Sequence, residues 1–229
     1  VAGFGLSVPY GLSNEWEKNG SFANPFGLRY QAPWFTELQT INANPALAFR
    51  LNDKLSVGLG LDVMWSQLTF KQFYPWAIFP GSSGTELDGN LAAEGDGIGF
   101  GGNLGITWQV AEHHRLALTV RTPIKLDYEG DFTVDNITPT AAGFGVTSKS
   151  DFDTSIKFPT IITLGYGVEL SDKVRLEVAG EWLQFSNFKS LDLGVGNNAV
   201  LFPSTTLPQN WKDTFTVGVG GDWKFAPNW

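Results

Sequence analysis

The chain has no cysteine and a single methionine in 229 residues. A disulfide scaffold and a thiolate metal site are therefore excluded, and the redox compartment is left open. Also missing is any apolar run near the ~18 residues that a spanning helix requires, or any long segment of helical period. That excludes helices as a route through a bilayer, but it does not exclude strands. Positive charge is scarce: 15 Lys and Arg against 23 Asp and Glu leave a formal charge of −8, which argues against nucleic acid as a partner. The opening VAGFGLSVPY has neither a basic n-region nor a cleavage-site pattern, so no secretory signal is read in this chain.

What the chain does have is 27 glycines, 18 phenylalanines and 9 tryptophans, arranged with a period of two. In GDGIGFGGNLGITWQV, Ile98, Phe100, Leu104, Ile106, Trp108 and Val110 share one parity. Gly97, Gly99, Gly101, Asn103, Gly105 and Thr107 share the other. The same alternation runs through TINANPALAFRL (40–51), KLSVGLGLDVMW (54–65), RLALTVRTPIKLDY (115–128), SIKFPTIITLGYGVEL (155–170), KVRLEVAGEW (173–182) and DTFTVGVGGDWKF (213–225). With the opening AGFGLSVPY these make about eight half-buried strands. RLALTVRTPIKLDY reads as one strand with Leu116, Leu118, Val120, Ile124, Leu126 and Tyr128 on its apolar face, and Ile156 and Phe158 open the apolar face of the next.

Connections alternate strictly between two kinds. LNDK (51–54), AEHH (111–114), LSDK (170–173) and APN (226–228) are tight. Residues 11–36, 71–96, 129–154 and 187–212 are long and rich in Gly, Pro, Ser, Asn and Asp. Short turns at one end and long loops at the other describe an antiparallel up-and-down transmembrane β-barrel. On this reading APNW sets Trp229 at the start of a further strand.

A soluble β-sandwich alternates too, so parity alone does not choose between water and lipid. Strands that hold their pattern for ten or more residues suit the ~9–11 of a tilted membrane crossing better than the ~5–6 usual in soluble sheets. The charges Arg50, Asp62, Arg121, Lys125, Asp127, Lys157, Glu169, Arg175, Glu177, Glu181, Asp222 and Lys224 all fall on the polar parity. A charge on the lipid face would cost ~2–4 kcal/mol at the midplane. Aromatics gather at both ends: Phe49, Trp108, Tyr166, Trp223 and Phe225 near the short turns, and Tyr10, Trp65, Tyr128, Phe158, Trp182 and Phe215 near the long loops. Two such girdles are what amphipathic rings form at two bilayer interfaces. The bare, glycine-rich parity then faces a lumen, leaving room for water, a plug or substrate.

SVPYGL (7–12), TINANPALAFRLNDKLSVGLGL (40–61), GDGIGFGGNLGITW (95–108), RLALTVRTPIKLDYEGDF (115–132), FPTIITLGYGVELSDKVRLEVAGEWLQFSNF (158–188) and NWKDTFTVGVGGDWKFAPNW (210–229) resemble, in one order, the FadL-type outer-membrane transporters of long-chain fatty acids and aromatic hydrocarbons. The resemblance implies a fourteen-stranded barrel plugged by an N-terminal hatch. This chain corresponds to the third to tenth strands, and the hatch, the first two strands and the last four have no counterpart in it. Asn44-Pro45-Ala46 lies mid-strand and is not the hatch signature.

The resemblance further implies passive uptake of a hydrophobic ligand, without cofactor or catalysis, by a monomer set in outer-membrane lipid and lipopolysaccharide. The ligand is caught in an extracellular groove between the third and fourth loops, passes to an inner pocket and leaves sideways through a kink in the third strand. In this chain the third loop carries Phe73, Tyr74, Trp76, Ile78 and Phe79, either as a ligand groove or as loop-to-loop packing, and the fourth adds Phe132 and Phe144. The kink would fall where Gly3, Gly5 and Pro9 interrupt the ladder. A fatty-acid carboxylate in a dry pocket needs Arg or Lys. Arg121, Lys125, Lys157 and Arg175 have inward parity, where they serve either that carboxylate or pairs with Asp127, Glu177 and Glu181.

Other chemistry finds little support. Glu177 and Glu181 share a strand face but read as wall lining rather than an acid/base pair. His113-His114 in a tight turn does not converge on a metal, and the glycines of 95–105 precede no helix that would bind phosphate. A general diffusion porin and a secreted soluble β-sandwich that binds carbohydrate remain the alternatives.

Overall fold

A computed structural model describes residues 1–18, 24, 28–202 and 205–225. The tight turn read at 226–228, and Trp229 with it, lie outside the described residues.

One antiparallel sheet takes eleven of the strands. Along it run β1 (Ala2–Ser7), β3 (Phe35–Arg50), β4 (Leu55–Tyr74), β5 (Gly89–Ala111), β6 (His114–Arg121), β9 (Ile161–Ser171), β10 (Val174–Leu183) and β13 (Thr214–Trp223). β2 (Gly11–Glu15) continues β1 along β3, while β7 (Ile124–Val134) pairs with the upper half of β5 and with β8 (Lys149–Phe158). A separate ribbon of β11 (Ser190–Asp192) and β12 (Thr206–Pro208) sits among the loops. Taking β1/β2, β6/β7 and β8/β9 as broken single strands gives eight wall crossings, as the alternation predicts. Several run further than it predicts: β4 reaches Tyr74, β5 begins at Gly89, β7 ends at Val134 and β8 begins at Lys149. The third and fourth loops shrink accordingly to 75–88 and 135–148.

The wall's outer face is bare of a second layer among the described residues. Leu59, Phe100 and Leu164 are each more than half exposed, and the fold is all-β barrel wall rather than sandwich. Apolar outward side chains run along β4 from Leu55 to Trp65, after which Gln67 takes over. Eleven residues is the length of one tilted crossing.

At one level the sequence parity misleads. In β6, Arg121 pairs with Asn103 and faces the lumen, so Val120, Leu118 and Leu116 face out. Past Thr122-Pro123 the pairing of β7 with β5 resumes one residue out of step, Glu129 opposite Asp96. A slip of one residue turns every side chain to the other face. Ile124, Leu126 and Tyr128, expected outside, are therefore buried in the lumen. Pro159-Thr160 does the same between β8 and β9, turning Phe158 and Ile156 inward beside Leu126 and Ile124. Proline has no N–H for the ladder, and at both of these places it marks the interruption, whereas Pro45 inside β3 leaves the register unshifted. Tyr10 also points inward, onto Phe158, and the upper girdle is reduced to Trp65, Trp182 and Phe215.

The glycine stripe of β5 lies where the β7–β8 hairpin folds over it. A Cβ on Gly99 would meet the Lys125 carbonyl oxygen at 2.6 Å, and one on Gly101 would meet Ile124 Cγ1 at 2.6 Å. Gly97 against the Asp127 carbonyl and Gly130 against the Glu94 carbonyl are tighter still. The bare parity, expected to make room for water, a plug or substrate, instead lets two backbones touch along a crease. Over this crease the inward faces of β4, β5, β7 and β8 form a common core of Met64, Leu68, Leu91, Leu126, Tyr128, Phe132 and Phe152.

Candidate ligand path

At the long-loop end the aromatic residues pack on each other. Trp76 is fully buried and donates from Nε1 to the Asp135 carbonyl at 2.9 Å, which ties the third loop to the fourth. Gly89 is required beneath it, because a Cβ there would lie 2.5 Å from that same nitrogen. Tyr74, Trp76, Phe79 and Phe144 form a chain of edge-to-face contacts, with centroids 4.7, 5.7 and 5.8 Å apart. Phe73 is buried under Trp34 and the Arg29 guanidinium, which stands 3.7 Å above its ring. Phe132 is no loop residue; it sits in β7, pointing into the core against Phe202. Of the expected groove residues, Ile78 and Phe144 stay exposed. The helix α1 (Pro139–Gly143), capped by Thr138 Oγ1 accepting from Ala141 N–H, holds Phe144 in place.

A carboxylate braces the tip of the third loop. Glu86 accepts hydrogen bonds from the backbone N–H groups of Ser83, Gly84 and Thr85. The Ser83 N–H foremost, with the N–H groups of Glu86 itself and Gly84 and the Ser83 hydroxyl, holds its pKa down at about 2. A depressed folded value means the contribution is complete above the ordinary carboxylate range and is lost as pH falls from there through about 2. Limited proteolysis within 81–88 should accelerate on acidification across that window. In Glu86→Gln the loop should be cut readily at every pH, and an unchanged acid dependence in that variant would assign the brace to another group.

Beneath the core lies a polar knot that the sequence analysis did not assemble. Asp62 on β4 is fully buried. It accepts from Asn42 Nδ2 at 2.7 Å, Asn44 Nδ2 at 3.2 Å and Asn103 Nδ2 at 2.9 Å, and Arg121 Nε lies 3.5 Å away. Asn42 Oδ1 is buried there with no donor. The signal was available in outline: Asn42, Asp62 and Asn103 share the inward parity on three neighbouring strands at one height. A hollow of about 300 Å³ adjoins the knot, lined by Asn103, Thr119, Arg121, Thr163 and Glu181. Thr163 donates to Glu181 at 3.0 Å, and the hollow is lined by one cation, Arg121, and one carboxylate, Glu181.

The other expected lumen cations are elsewhere. The register slip turns Lys125 and Lys157 to the outer face, opposite each other and exposed, with Lys125 paired to Asp127 at 2.6 Å. Their inward parity is thus corrected. The expected confinement of charge to the inner face therefore fails for Lys125, Asp127 and Lys157, in the stretch of the hairpin that lies beside Gly97 and Gly99 of β5. Arg175 keeps inward parity but lies near the short turns, bonded to Glu177. A second hollow of about 710 Å³, beside Asp127, Glu129, Asp151, Asp153 and Asp192, carries the wrong sign for an anion.

The first wall strand breaks at Val8–Tyr10, between β1 and β2. There Tyr10 N–H bonds Thr40 Oγ1 at 3.0 Å instead of a backbone carbonyl, and the Thr40 hydroxyl donates back to the Tyr10 carbonyl. Pro9 lies in the break; Gly3 and Gly5 do not, being paired regularly with Ala46 and Asn44.

A wall greasy outside and polar-knotted inside, with long loops at one end, defines an outer-membrane β-barrel chain. Residues 1–229 match the family of outer membrane protein transport proteins (OMPP1/FadL/TodX), and the chain belongs to that family. It is 24% identical over 249 residues to a long-chain fatty acid transport protein of Salmonella typhi, covering 99% of this chain and 54% of that one. The corresponding protein of Escherichia coli K12 is 24% identical over 260 residues, 99% of this chain and 55% of that one. The chain thus spans about half the length of the curated relatives it matches. In fold it is similar to a Pseudomonas aeruginosa FadL homologue, with a TM-score of 0.81 at 20% identity over 99% of this chain and 54% of that one. The Ralstonia pickettii toluene transporter TbuX gives 0.75 at 19% identity, over 98% and 62%.

Proposed function

We propose that this chain forms the third to tenth strands of a fourteen-stranded, hatch-plugged barrel, through which a long-chain fatty acid passes without catalysis. The protein works as a monomer amid outer-membrane lipid and lipopolysaccharide. The observation that carries the choice of ligand is Arg121, a cation at the edge of a hollow beneath an apolar core. A guanidinium that a carboxylate can share is what distinguishes fatty acid from plain hydrocarbon. Curated relatives named for fatty-acid transport support the reading, while relatives named for toluene mark the other ligand class of the family.

Ligand would first touch Ile78 and Phe144, the exposed rim of a loop cluster that is otherwise closed on itself. From there it follows the apolar core down to Arg121 and leaves sideways at the Val8–Tyr10 break, near the upper edge of the apolar band. A hydrogen bond to a charged group contributes about 1.5–3 kcal/mol. Arg121→Gln in the whole protein should therefore lower oleate uptake by roughly tenfold or more, and leave a hydrocarbon of similar length unaffected. Lys125→Ala and Lys157→Ala should change neither. Equal losses for both ligands in Arg121→Gln would reject carboxylate recognition.

A further inference from the structure

Two strand breaks face each other across the lumen, and one ring contact joins them. Tyr10 follows Pro9 in the first, and Phe158 precedes Pro159 in the other. Their rings stack with centroids 4.4 Å apart and planes 25° apart. The Tyr10 side chain also lies within electrostatic reach of Arg121, Asp62 and Glu181. The stacked pair thus stands between the Arg121 hollow and the break in the first strand.

We propose that the Tyr10–Phe158 stack is the gate between the inner site and the lateral break, and that it opens by movement of Phe158 at the foot of the β7–β8 hairpin. This rests on the lateral-exit reading above. The asymmetry of the two partners decides which one moves. Tyr10 is held to β3 by two reciprocal hydrogen bonds with buried Thr40. Phe158 sits at the foot of a hairpin interrupted by Pro123 on one strand and Pro159 on the other. β8 pairs with β7 along its length, and its other edge is tied at Asp153 to Gly194, at Thr154 to the Asp192 carbonyl and at Ser150 to the Val195 carbonyl, all further up the strand than Phe158. Paired proline interruptions at one height make a hinge line, since neither strand carries a continuous ladder through it. An alkyl chain leaving the Arg121 hollow has to replace one ring face with its own methylenes, an exchange of one apolar contact for another.

The test uses the whole protein in cells, with Tyr10→Cys and Phe158→Cys combined and bridged by a short, reducible, bifunctional thiol reagent. Tethering should reduce oleate uptake at least about tenfold, as for a lid locked shut, and reduction should restore it. Either single variant treated with a small monofunctional reagent has lost the stack and should take up oleate at least as fast as the unaltered protein. Val8→Cys carrying a bulky reagent plugs the break from its exposed outer side and tests the exit itself. Uptake blocked at Val8 but passing the tether at full rate would overturn the gate and leave the exit standing. Uptake indifferent to the Val8 plug would overturn both. Should the cysteine pair fail to show heat-modifiable migration, Phe158→Leu decides. Losing one stacked aromatic contact should speed uptake roughly two- to tenfold, and an unchanged rate would count against the gate.

Discussion

Gly97→Ala is expected to unfold the upper barrel, while Gly105→Ala in the same strand and on the same face is expected to be harmless. The two positions look alike in sequence. At Gly105 a Cβ meets nothing within 4 Å, whereas at Gly97 it runs into the Asp127 carbonyl oxygen with Tyr128 Cα 3.6 Å behind. A flexible side chain could swing aside; a carbonyl in a paired hairpin cannot. Overpacking usually costs about 1–3 kcal/mol, and a main-chain obstacle puts this site at or above the top of that range. The hairpin would have to lift from β5, taking Ile124 and Leu126 off the core. The control should gain slightly, because alanine loses less backbone entropy than glycine by about 0.5–1 kcal/mol. Denaturant midpoints of the refolded variants in detergent, with heat-modifiable migration as the measure of closure, would show the contrast. Equal midpoints would mean that β7 does not lie on the glycine stripe.

Asp62→Ala should be the most damaging removal of a single charge. Three side-chain amides and a guanidinium converge on this carboxylate; without it the buried Asn42 and the half-buried Asn103 and Arg121 lose that partner, while Asn44 keeps the Leu61 carbonyl. Breaking a buried pair from one side typically costs 3–5 kcal/mol. The low end of about 3 kcal/mol applies here, because the Arg121 side chain is 33% exposed. Asp62→Asn keeps an acceptor and should lose less. Adding Arg121→Ala to Asp62→Ala should recover part of the loss, and a double-mutant cycle on unfolding free energies would measure that coupling. Strict additivity would show that Arg121 and Asp62 do not hold each other.

The wall was legible in the sequence because lipid on one side and a polar interior on the other impose a strict period of two. Leu59 and Leu164 could be assigned outward from pattern alone for that reason. The β7–β8 hairpin was not legible, for an equally physical reason. Across RLALTVRTPIKLDY the apolar residues keep even numbers while the backbone slips by one, so the pattern continues and its meaning inverts. Pro123 and Pro159 were the available warnings, since a proline within a long strand can mark an interruption. The glycine stripe was noticed, but a missing side chain states only that something is close; β7 had to be placed before its neighbour was known. In the third loop, composition showed apolar mass and left groove and packing open. The bond from Trp76 to Asp135 is a contact between loops, and no local pattern encodes it. Of the four candidate cations, Arg121 lies ahead of the slip and kept its place, whereas Lys125 and Lys157 lie beyond it and lost theirs.

The slip has a genetic corollary. Deleting one codon between Arg121 and Ile124 would take out the one surplus residue, and an unbroken ladder would then carry Ile124, Leu126 and Tyr128 inward as they are now. A single-residue deletion should therefore be tolerated at this seam, while insertions among homologues should collect in the stretch from 135 to 148.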